Sequence, residues 1–487
     1  MSTNTKAAAG ATAGSSSATK GKAPVATAAK GAPATAGGNG SGKTALKRTL
    51  TTKDLIVFGM IFMVPIAPFS IIASVAAVSN GMPAVAYLIA MVAMLFTALS
   101  FGMMVPRFPS SGSIYIYASH EMSHGIGFVV GWLMILQYLI TPAIMMLMAG
   151  NAIHEYIPGI PAWVWCVVFL VIITCIAMRG AGATILVDKL ALAAELIVLA
   201  LFFIFGVIYV CKHPETAHFS GSAFFNAKKF NMSDMMSAVS LCALSFVGFG
   251  SIVTLDDQCV QPKKGPGKAM IFIVLILGFL YMSMSFLTMC MDPSGNILNA
   301  SQNTGFYEVA NLAGKWLGIL CAVANALALG LFTALSGMTA ISSLMFTMAQ
   351  DGGLPKFLAK VNKKRGVPTG ATLFTAIVNL VLIFVFVFVG QNTAAKFSNF
   401  GALSTYFILN LVVIWGLGIK EKQYKGKGFW RTILCPLIGA VVTFYIFVSL
   451  GLEVWIVGVI WTVLGIIYYF VWTKSLHHTM DLERTVS

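Results

Sequence analysis

The sequence predicts an all-α polytopic membrane protein with about 12 transmembrane helices, and three observations support this fold class. Of the 487 residues, 58% are hydrophobic and only 10% are charged, whereas a soluble domain carries about 25% charged residues. The apolar residues form runs of about 20, the length that a helix needs to cross a bilayer core. These runs recur along most of the chain, so one buried helix of a soluble protein does not explain them.

The elements follow in order. Residues 1–50 form a low-complexity tail of Ala, Gly, Ser, Thr and Lys, which we expect to be disordered and cytoplasmic. The membrane domain covers 51–475, and a short cytoplasmic tail follows at 476–487. The span at 309–346 is too long for a single crossing, so part of it projects from the bilayer or tilts. We place the spans at 54–79, 83–104, 124–149, 161–178, 188–211, 233–258, 267–290, 309–346, 370–390, 396–419, 432–451 and 454–473.

The basic residues predict the orientation of the chain, because Lys and Arg concentrate in cytoplasmic loops. With the amino terminus inside, roughly 26 of the 31 basic residues fall on the cytoplasmic side. The opposite orientation would invert that ratio. We therefore expect both termini to be cytoplasmic. The outer side holds Lys212, Lys228, Lys229, Lys315 and Lys396.

Two spans contain residues that interrupt helices. Span 1 carries Pro65 and Pro68 in "MVPIAPFS", and span 6 carries Gly248 and Gly250 in "SFVGFGS". Broken helices at membrane depth are tolerated where they line a cavity or are buried in protein. Breaks at matching places in two halves point to an inverted repeat with its binding site between them. The alternative is a pair of ordinary kinks, since Gly and Pro are common in membrane helices.

Spans 1 and 6 are five apart, which predicts a five-plus-five repeat. The first repeat would cover about 54–211, the second about 233–419, and two extra helices about 432–473.

Several function classes are disfavoured. The net charge of +15 is distributed between apolar spans, without the basic face and aromatic residues of a nucleic-acid-binding protein. The eight cysteines are interpreted as small buried hydrophobes and not as a disulfide framework. His120, Glu121 and His124 match the H-E-x-x-H zinc pattern, but a polar helix entrance at the membrane interface explains them better. "GPGK" at 265–268 lacks the Walker spacing. We predict no catalytic residue, metal site or cofactor.

Glu195 is the most unusual ionisable residue, because it lies about one turn or more inside span 5. A carboxyl group at such depth is costly and is a candidate for function. Desolvation favours its neutral form, so it could carry a proton. The alternatives are a side chain that reaches the interface, or a structural pair with Lys189.

Three motifs resemble the amino acid–polyamine–organocation permease superfamily. They are "FGMMVPRFPSSGSIYIYASHEMSHGIGFVVGW" at 101–132, "SFVGFGSIVTLDDQCVQPKKGPGKAM" at 245–270 and "AISSLMFTMAQDGGLPKFLAKVNKKRGVPTGA" at 340–371. The resemblance covers about 50–475 and implies a LeuT-like inverted-repeat fold with broken helices 1 and 6. It also implies a central site where the two breaks hold a substrate's carboxylate and amine. The substrate-binding residues it implies are Pro65, Ile66, Ala67, Pro68, Ser70, Gln137, Tyr138, Phe246, Gly248, Phe249 and Gly250.

The proline-bearing break, with "GWLMILQYLITPAI" at 131–144, most resembles the bacterial putrescine-importer branch. That branch tends to have Asp where this chain has Gln137 and Gly250, and the family's usual Arg after helix 8 is replaced by Ser343. A dication needs anions nearby, so these departures favour a substrate with its own carboxylate. Some permeases of this superfamily have a Lys where this chain has Glu195, which supports a proton-coupling role.

The resulting prediction is a plasma-membrane amino acid permease, proton-coupled or an exchanger. A putrescine or polyamine importer is the alternative, and a nutrient sensor of the same fold is less favoured because the tail is short. The expected partners are a small-molecule substrate, the lipid bilayer and a proton, without nucleic acid. The sequence does not predict the oligomeric state.

Overall fold

The computed structural model describes residues 50–108, 114–179, 185–250, 252–253, 259–261, 263–350, 352–362, 367–423 and 425–475. Within these residues, 11 helices are long and apolar enough to cross a membrane, and a shorter apolar helix adds one further span. The predicted fold class, an all-α membrane protein with about 12 spans, is therefore confirmed. The two predicted tails lie outside the described residues, apart from Leu50 at the end of the first tail. Asp256 and Asp257, the two acidic residues of the 245–270 motif, also lie outside them.

We number the spans α1 to α12. Span α1 is broken into the halves Thr52–Met63 and Ile72–Val78, and the described helical part of α6 is Met232–Phe246. The others are α2 Pro83–Met104, α3 His124–His154, α4 Ala162–Arg179, α5 Ile185–Lys212, α7 Gly265–Met291, α8 Lys315–Gln350, α9 Thr369–Val389, α10 Gln391–Lys420, α11 Trp430–Val448 and α12 Leu452–Ser475.

Capping residues explain where three of these helices begin. Thr51 and Asp54 form a reciprocal capping box at α1, in which the Asp54 carboxylate accepts from the Thr51 N–H over 2.9 Å. Ser123 caps α3 and Asn231 caps α6, each with its side-chain oxygen on free backbone N–H groups. Hydrophobic runs fix the length of the spans, and these polar residues fix where they start.

Helix α3 lies at the centre of the bundle. In its most apolar stretch 83% of the residues are buried, against 17% for α12 and 22% for α4. It packs against α4, α8, α9, α10 and α12. The peripheral helices expose large apolar side chains such as Phe388 and Leu452, as a lipid-facing surface requires.

Helices α2 and α7 approach each other closely at Gly102 and Gly267. A Cβ atom built on Gly267 would lie 2.8 Å from the Gly102 Cα atom. Small residues allow such backbone proximity in membranes, where van der Waals packing drives association. These two helices therefore pack closely as a pair beside α1 and α6.

The structure corrects two details. The predicted span 309–346 begins too early, because Gly314 at φ 153° separates a short helix, Gly305–Ala313, from α8. Helix α8 is 36 residues long, about 54 Å at 1.5 Å per residue, and contains a π-helical segment, Ala328–Thr333. The interpretation of all cysteines as buried is wrong for Cys175 and Cys211, which are exposed.

Candidate functional site

The break in α1 begins at a strained residue. The first half ends at Met63, and Val64 adopts φ 53°, a conformation that is unusual for a β-branched residue. Pro65 has no backbone N–H to continue the helix. A 3-10 turn, Ala67–Ser70, then leads into the second half of the helix. The α-helix is therefore interrupted at Val64 to Ile66, one residue earlier than predicted, and Ala67 and Pro68 already belong to the 3-10 turn.

The break in α6 lies directly against the first one. After a 3-10 segment, Ala243–Phe246, Gly248 takes φ 123°, a conformation that favours glycine. A Cβ atom built on Gly248 would lie 3.4 Å from the Phe62 carbonyl oxygen and 3.7 Å from the Met63 side chain. The interruption of α1 thus meets the described end of the α6 helix, which agrees with the arrangement that the inverted repeat predicts.

Tyr281 of α7 connects the two breaks. Its hydroxyl oxygen lies 2.8 Å from the Met63 carbonyl oxygen, 3.0 Å from that of Val64 and 3.2 Å from that of Ser245. The Val64 carbonyl also accepts from the Ala67 N–H over 3.0 Å. The Met63 and Ser245 carbonyls, however, compete for the single hydrogen that the Tyr281 phenol can donate. The junction therefore presents more hydrogen-bond acceptors than donors in a buried position, which suits an ammonium group or a cation.

Glu195 faces this junction and not the lipid. Its side chain is only 5% exposed and interacts electrostatically with Tyr281. Among the described residues, its Oε2 atom has no hydrogen-bond partner. Lys189, the partner considered above, interacts electrostatically with Asp54 instead. A buried carboxyl group without a cation beside it is able to gain and lose a proton.

An aromatic and amide wall borders the second break. The ring of Phe249 packs 5.5 Å from Tyr406 of α10 and 5.7 Å from Phe101 of α2, measured between centroids. Gln137 of α3 hydrogen-bonds to Tyr406. Gly250 packs against Phe101, with 3.1 Å from a built Cβ atom to the ring. These four side chains and Gly250 carry no charge.

A polar cluster lies beyond the first break, next to stacked aromatic rings. Asn325 of α8 donates from Nδ2 to Ser70 Oγ over 2.5 Å and to Tyr307 Oη over 2.7 Å. The Ser70 backbone carbonyl accepts from Gln391 Nε2 over 2.8 Å. Phe69 and Phe306 stack beside it with centroids 4.1 Å apart. This cluster ties the 3-10 turn of α1 to α8, α10 and the short helix Gly305–Ala313.

At the opposite end of the protein, the motif containing Arg107 forms an ionic cluster. Arg107 pairs with the buried carboxylate of Glu121 over 2.8 Å and also with Glu421. Lys420 lies 3.6 Å from the second oxygen of Glu121, and His120 stacks on Phe108. Glu121 of the H-E-x-x-H pattern is therefore engaged in ion pairs that join the α2–α3 connection to the end of α10.

The structure brings most of the predicted site residues together. One group surrounds the two breaks, and Gln137 and Tyr138 of α3 reach it through Tyr406, with which both interact. Further polar and strained residues surround the same junction and were not predicted from the sequence. In the sequence, most of these residues stand out only as a hydroxyl or amide group within an apolar run, and many such groups occur in membrane helices. The missed residues are Val64, Tyr281, Tyr307, Asn325 and Tyr406.

Comparison with known proteins agrees with this architecture. The chain is 27% identical over 448 residues to the low-affinity putrescine importer PlaP of Escherichia coli strain K12, covering 91% of this chain and 97% of PlaP. It is 24% identical over 472 residues to the branched-chain amino acid permease BcaP of Bacillus subtilis, covering 89% and 95%. It is 25% identical over 461 residues to the methylthioribose transporter of Bacillus subtilis, covering 88% and 94%.

The family model described as amino acid permease matches residues 53–475. This range begins at the first residues of α1 and ends at the last residue of α12. It contains both breaks and every predicted site residue. The chain is a multi-pass membrane transporter that belongs to the amino acid permease family.

Proposed function

We propose that this permease carries a monocarboxylate amino acid across the plasma membrane, either with a proton or by exchange. The observation that supports the proposal best is the acceptor-rich junction around Tyr281. Three carbonyl oxygens converge on one hydroxyl group. Val64 also accepts from the Ala67 N–H, and an ammonium group would supply a further donor for the carbonyls of Met63 and Ser245. The substrate's carboxylate would meet the amino end of a half-helix, where free N–H groups and the helix dipole favour an anion.

The neutral wall of the site favours an amino acid over a diamine. Gln137 and Gly250 carry no charge, and Glu195 is the one acidic residue that we place beside the junction. A diamine carries two positive charges into a buried site, and burying an unpaired charge is costly. An amino acid brings its own carboxylate, so its net charge is zero and the site needs no fixed anion to balance it.

Putrescine import is the second candidate, because PlaP is described as a putrescine importer and Glu195 is a buried anion that could pair with one ammonium group. Competition separates the two candidates. The purified protein in proteoliposomes is tested for uptake of labelled amino acids and labelled putrescine, each with unlabelled competitors. We expect amino acids to be taken up and putrescine to compete weakly. Putrescine uptake that no amino acid inhibits would overturn the proposal.

We propose that Glu195 carries the coupled proton. The support is its burial, its position beside Tyr281 and the absence of an ion-pair partner for it among the described residues. Protonation would neutralise the carboxyl group while the half-helices move, and deprotonation would release the proton on the other side. A gradient experiment tests this: uptake should rise when the inside of the vesicle is made alkaline.

The proposed orientation has both termini in the cytoplasm. It rests on the excess of basic residues on the amino-terminal side and makes the polar cluster around Ser70 the outer one. Terminal tags tested for protease accessibility in sealed, oriented vesicles would check it. Tags on opposite sides would contradict an even number of spans.

A further inference from the structure

Ser70, Tyr307 and Asn325 form a buried cluster with an unmatched set of hydrogen-bonding groups. Their exposed fractions are 2%, 0% and 0%, so neither lipid nor bulk water reaches them. Asn325 uses both of its N–H hydrogens, one on each hydroxyl oxygen. Its Oδ1 atom has no hydrogen-bond partner among the described residues. A buried unpaired acceptor costs about 1–3 kcal/mol, so the cluster needs a further group.

Counting hydrogens identifies the kind of group that is missing. The two hydroxyl oxygens lie 3.4 Å apart, so one hydroxyl hydrogen can bridge them. The other hydroxyl hydrogen has no acceptor within the cluster. The cluster therefore has one acceptor, Asn325 Oδ1, and one donor hydrogen left over. With the amide turned over, Oδ1 accepts from both hydroxyl groups and Nδ2 is left with two N–H donors, which the oxygen atom of a hydroxyl or carboxamide group can accept.

An ammonium group does not match this set, because it offers three donors and no acceptor. A carboxylate is acceptor-only, so it matches the turned-over amide but not the arrangement in which Asn325 donates to both hydroxyl groups. A hydroxyl or carboxamide group offers both a donor and an acceptor, so it can bond to the cluster in either orientation of the amide. The cluster is thus more complementary to a neutral polar group than to a charged one.

The position of the cluster connects it to the transport site. Ser70 belongs to the 3-10 turn that starts at Ala67, directly after the α1 break. At about 2 Å per residue in such a turn, Ser70 lies about 6 Å along the axis from Ala67. A side chain of threonine to glutamine size, attached to an amino acid held at the break, spans a distance of this order. Gln391 fixes the Ser70 backbone, which keeps the hydroxyl group in place.

We infer that Ser70, Tyr307 and Asn325 form a side-chain selectivity subsite that favours amino acids with a hydroxyl or carboxamide side chain. The inference rests on the proposed function, amino acid transport, and names the substrate class within it. The adjoining stack of Phe69 and Phe306 offers the substrate's methylene groups an apolar surface.

Threonine and valine provide the probe, because they differ by one hydroxyl group in place of a methyl group. Uptake of each is measured with the full chain in proteoliposomes. The native protein should take up threonine with a kcat/KM about 2- to 12-fold higher than valine, the effect of one neutral hydrogen bond. Asn325→Leu removes the amide at similar volume and should bring the ratio close to one, mainly through the KM for threonine.

Asn379→Leu is the matched control. Asn379 is 1% exposed, and its Oδ1 atom also lacks a partner among the described residues, but it lies on α9, which packs against α3, α4 and α8. This variant should keep the native ratio. If Asn325→Leu does not fold, Ser70→Ala removes a single oxygen and should lower the ratio in the same direction.

Two results would overturn the inference. Equal uptake of threonine and valine by the native protein, or a preference that survives in both Asn325→Leu and Ser70→Ala, would mean that the cluster holds only a buried water molecule. Uptake of putrescine without uptake of either amino acid would overturn the proposed function as well. Uptake of both amino acids without discrimination refutes the subsite alone, so the two failures are distinct.

Discussion

Gly248 offers the sharpest test of the idea that the two breaks form the binding site. At φ 123°, a residue with a side chain costs about 1–3 kcal/mol in backbone strain. A first side-chain atom would stand 3.4 Å from the Phe62 carbonyl oxygen, which is tolerable contact, but further atoms would enter the junction. We therefore expect Gly248→Leu to abolish substrate binding and Gly248→Ala to weaken it, while both variants remain folded.

A substitution at Gly451 is the control that distinguishes the cost of backbone strain from the effect of a side chain in the junction. It has φ 99° and nothing within 4 Å of a built Cβ atom, so Gly451→Ala carries similar strain without blocking the junction. Thermal unfolding in detergent should show similar losses of stability for Gly248→Ala and Gly451→Ala. Binding of labelled substrate by scintillation proximity should fall only in the Gly248 variants. Native affinity in Gly248→Leu, or an equal loss of affinity in Gly451→Ala, would refute the reasoning.

Three further predictions concern charge and hydrogen bonding. Glu195→Gln keeps the size and hydrogen bonding of the side chain but cannot release a proton, so it should retain binding and lose the pH dependence of uptake; an unchanged pH profile would exclude the coupling role. Tyr281→Phe removes the hydroxyl group that meets three carbonyls and should lower stability by about 1–3 kcal/mol, measured by thermal unfolding. Substrate should restore part of that stability, and no recovery would argue against an ammonium site there. Glu121→Gln removes the buried carboxylate that pairs with Arg107 over 2.8 Å. It should lower stability and change the transport rate more than Lys420→Gln does, because Lys420 lies 3.6 Å from the Glu121 carboxylate. Equal effects of the two substitutions would contradict this.

Much of the fold could be predicted because the relevant signals are local. Runs of apolar residues mark the spans, and Pro65 and Gly248 mark the breaks, since each changes the backbone at its own position. The start of α8 was missed because Gly314 ends one helix and begins another within a continuous apolar run. Hydropathy does not register a change of direction between two apolar helices.

The site itself could be predicted only in part, because its polar partners are distant in sequence. Tyr281 meets carbonyl groups 218 and 36 positions away, and Asn325 meets Ser70 at a separation of 255. Nothing near these residues in the sequence distinguishes them from other hydroxyl and amide groups in membrane helices. Val64 was missed for another reason: its positive φ results from the position of Pro65 and from packing, and valine gives no sign of it.

The π-helical segment Ala328–Thr333 has a consequence for how this transporter could change over evolution. A π turn holds one residue more than an α turn, and each residue of an α-helix turns the chain by about 100°. Deleting one residue from this segment would therefore restore a regular α turn and leave the flanking turns nearly in phase. Asn325, on the amino-terminal side of the segment, would still face Ser70, whereas the same deletion in a regular stretch of α8 between the two sides would rotate Asn325 by about 100° relative to the rest of the helix. The π segment is thus a place in α8 where one codon could be lost without exchanging the group that contacts Ser70.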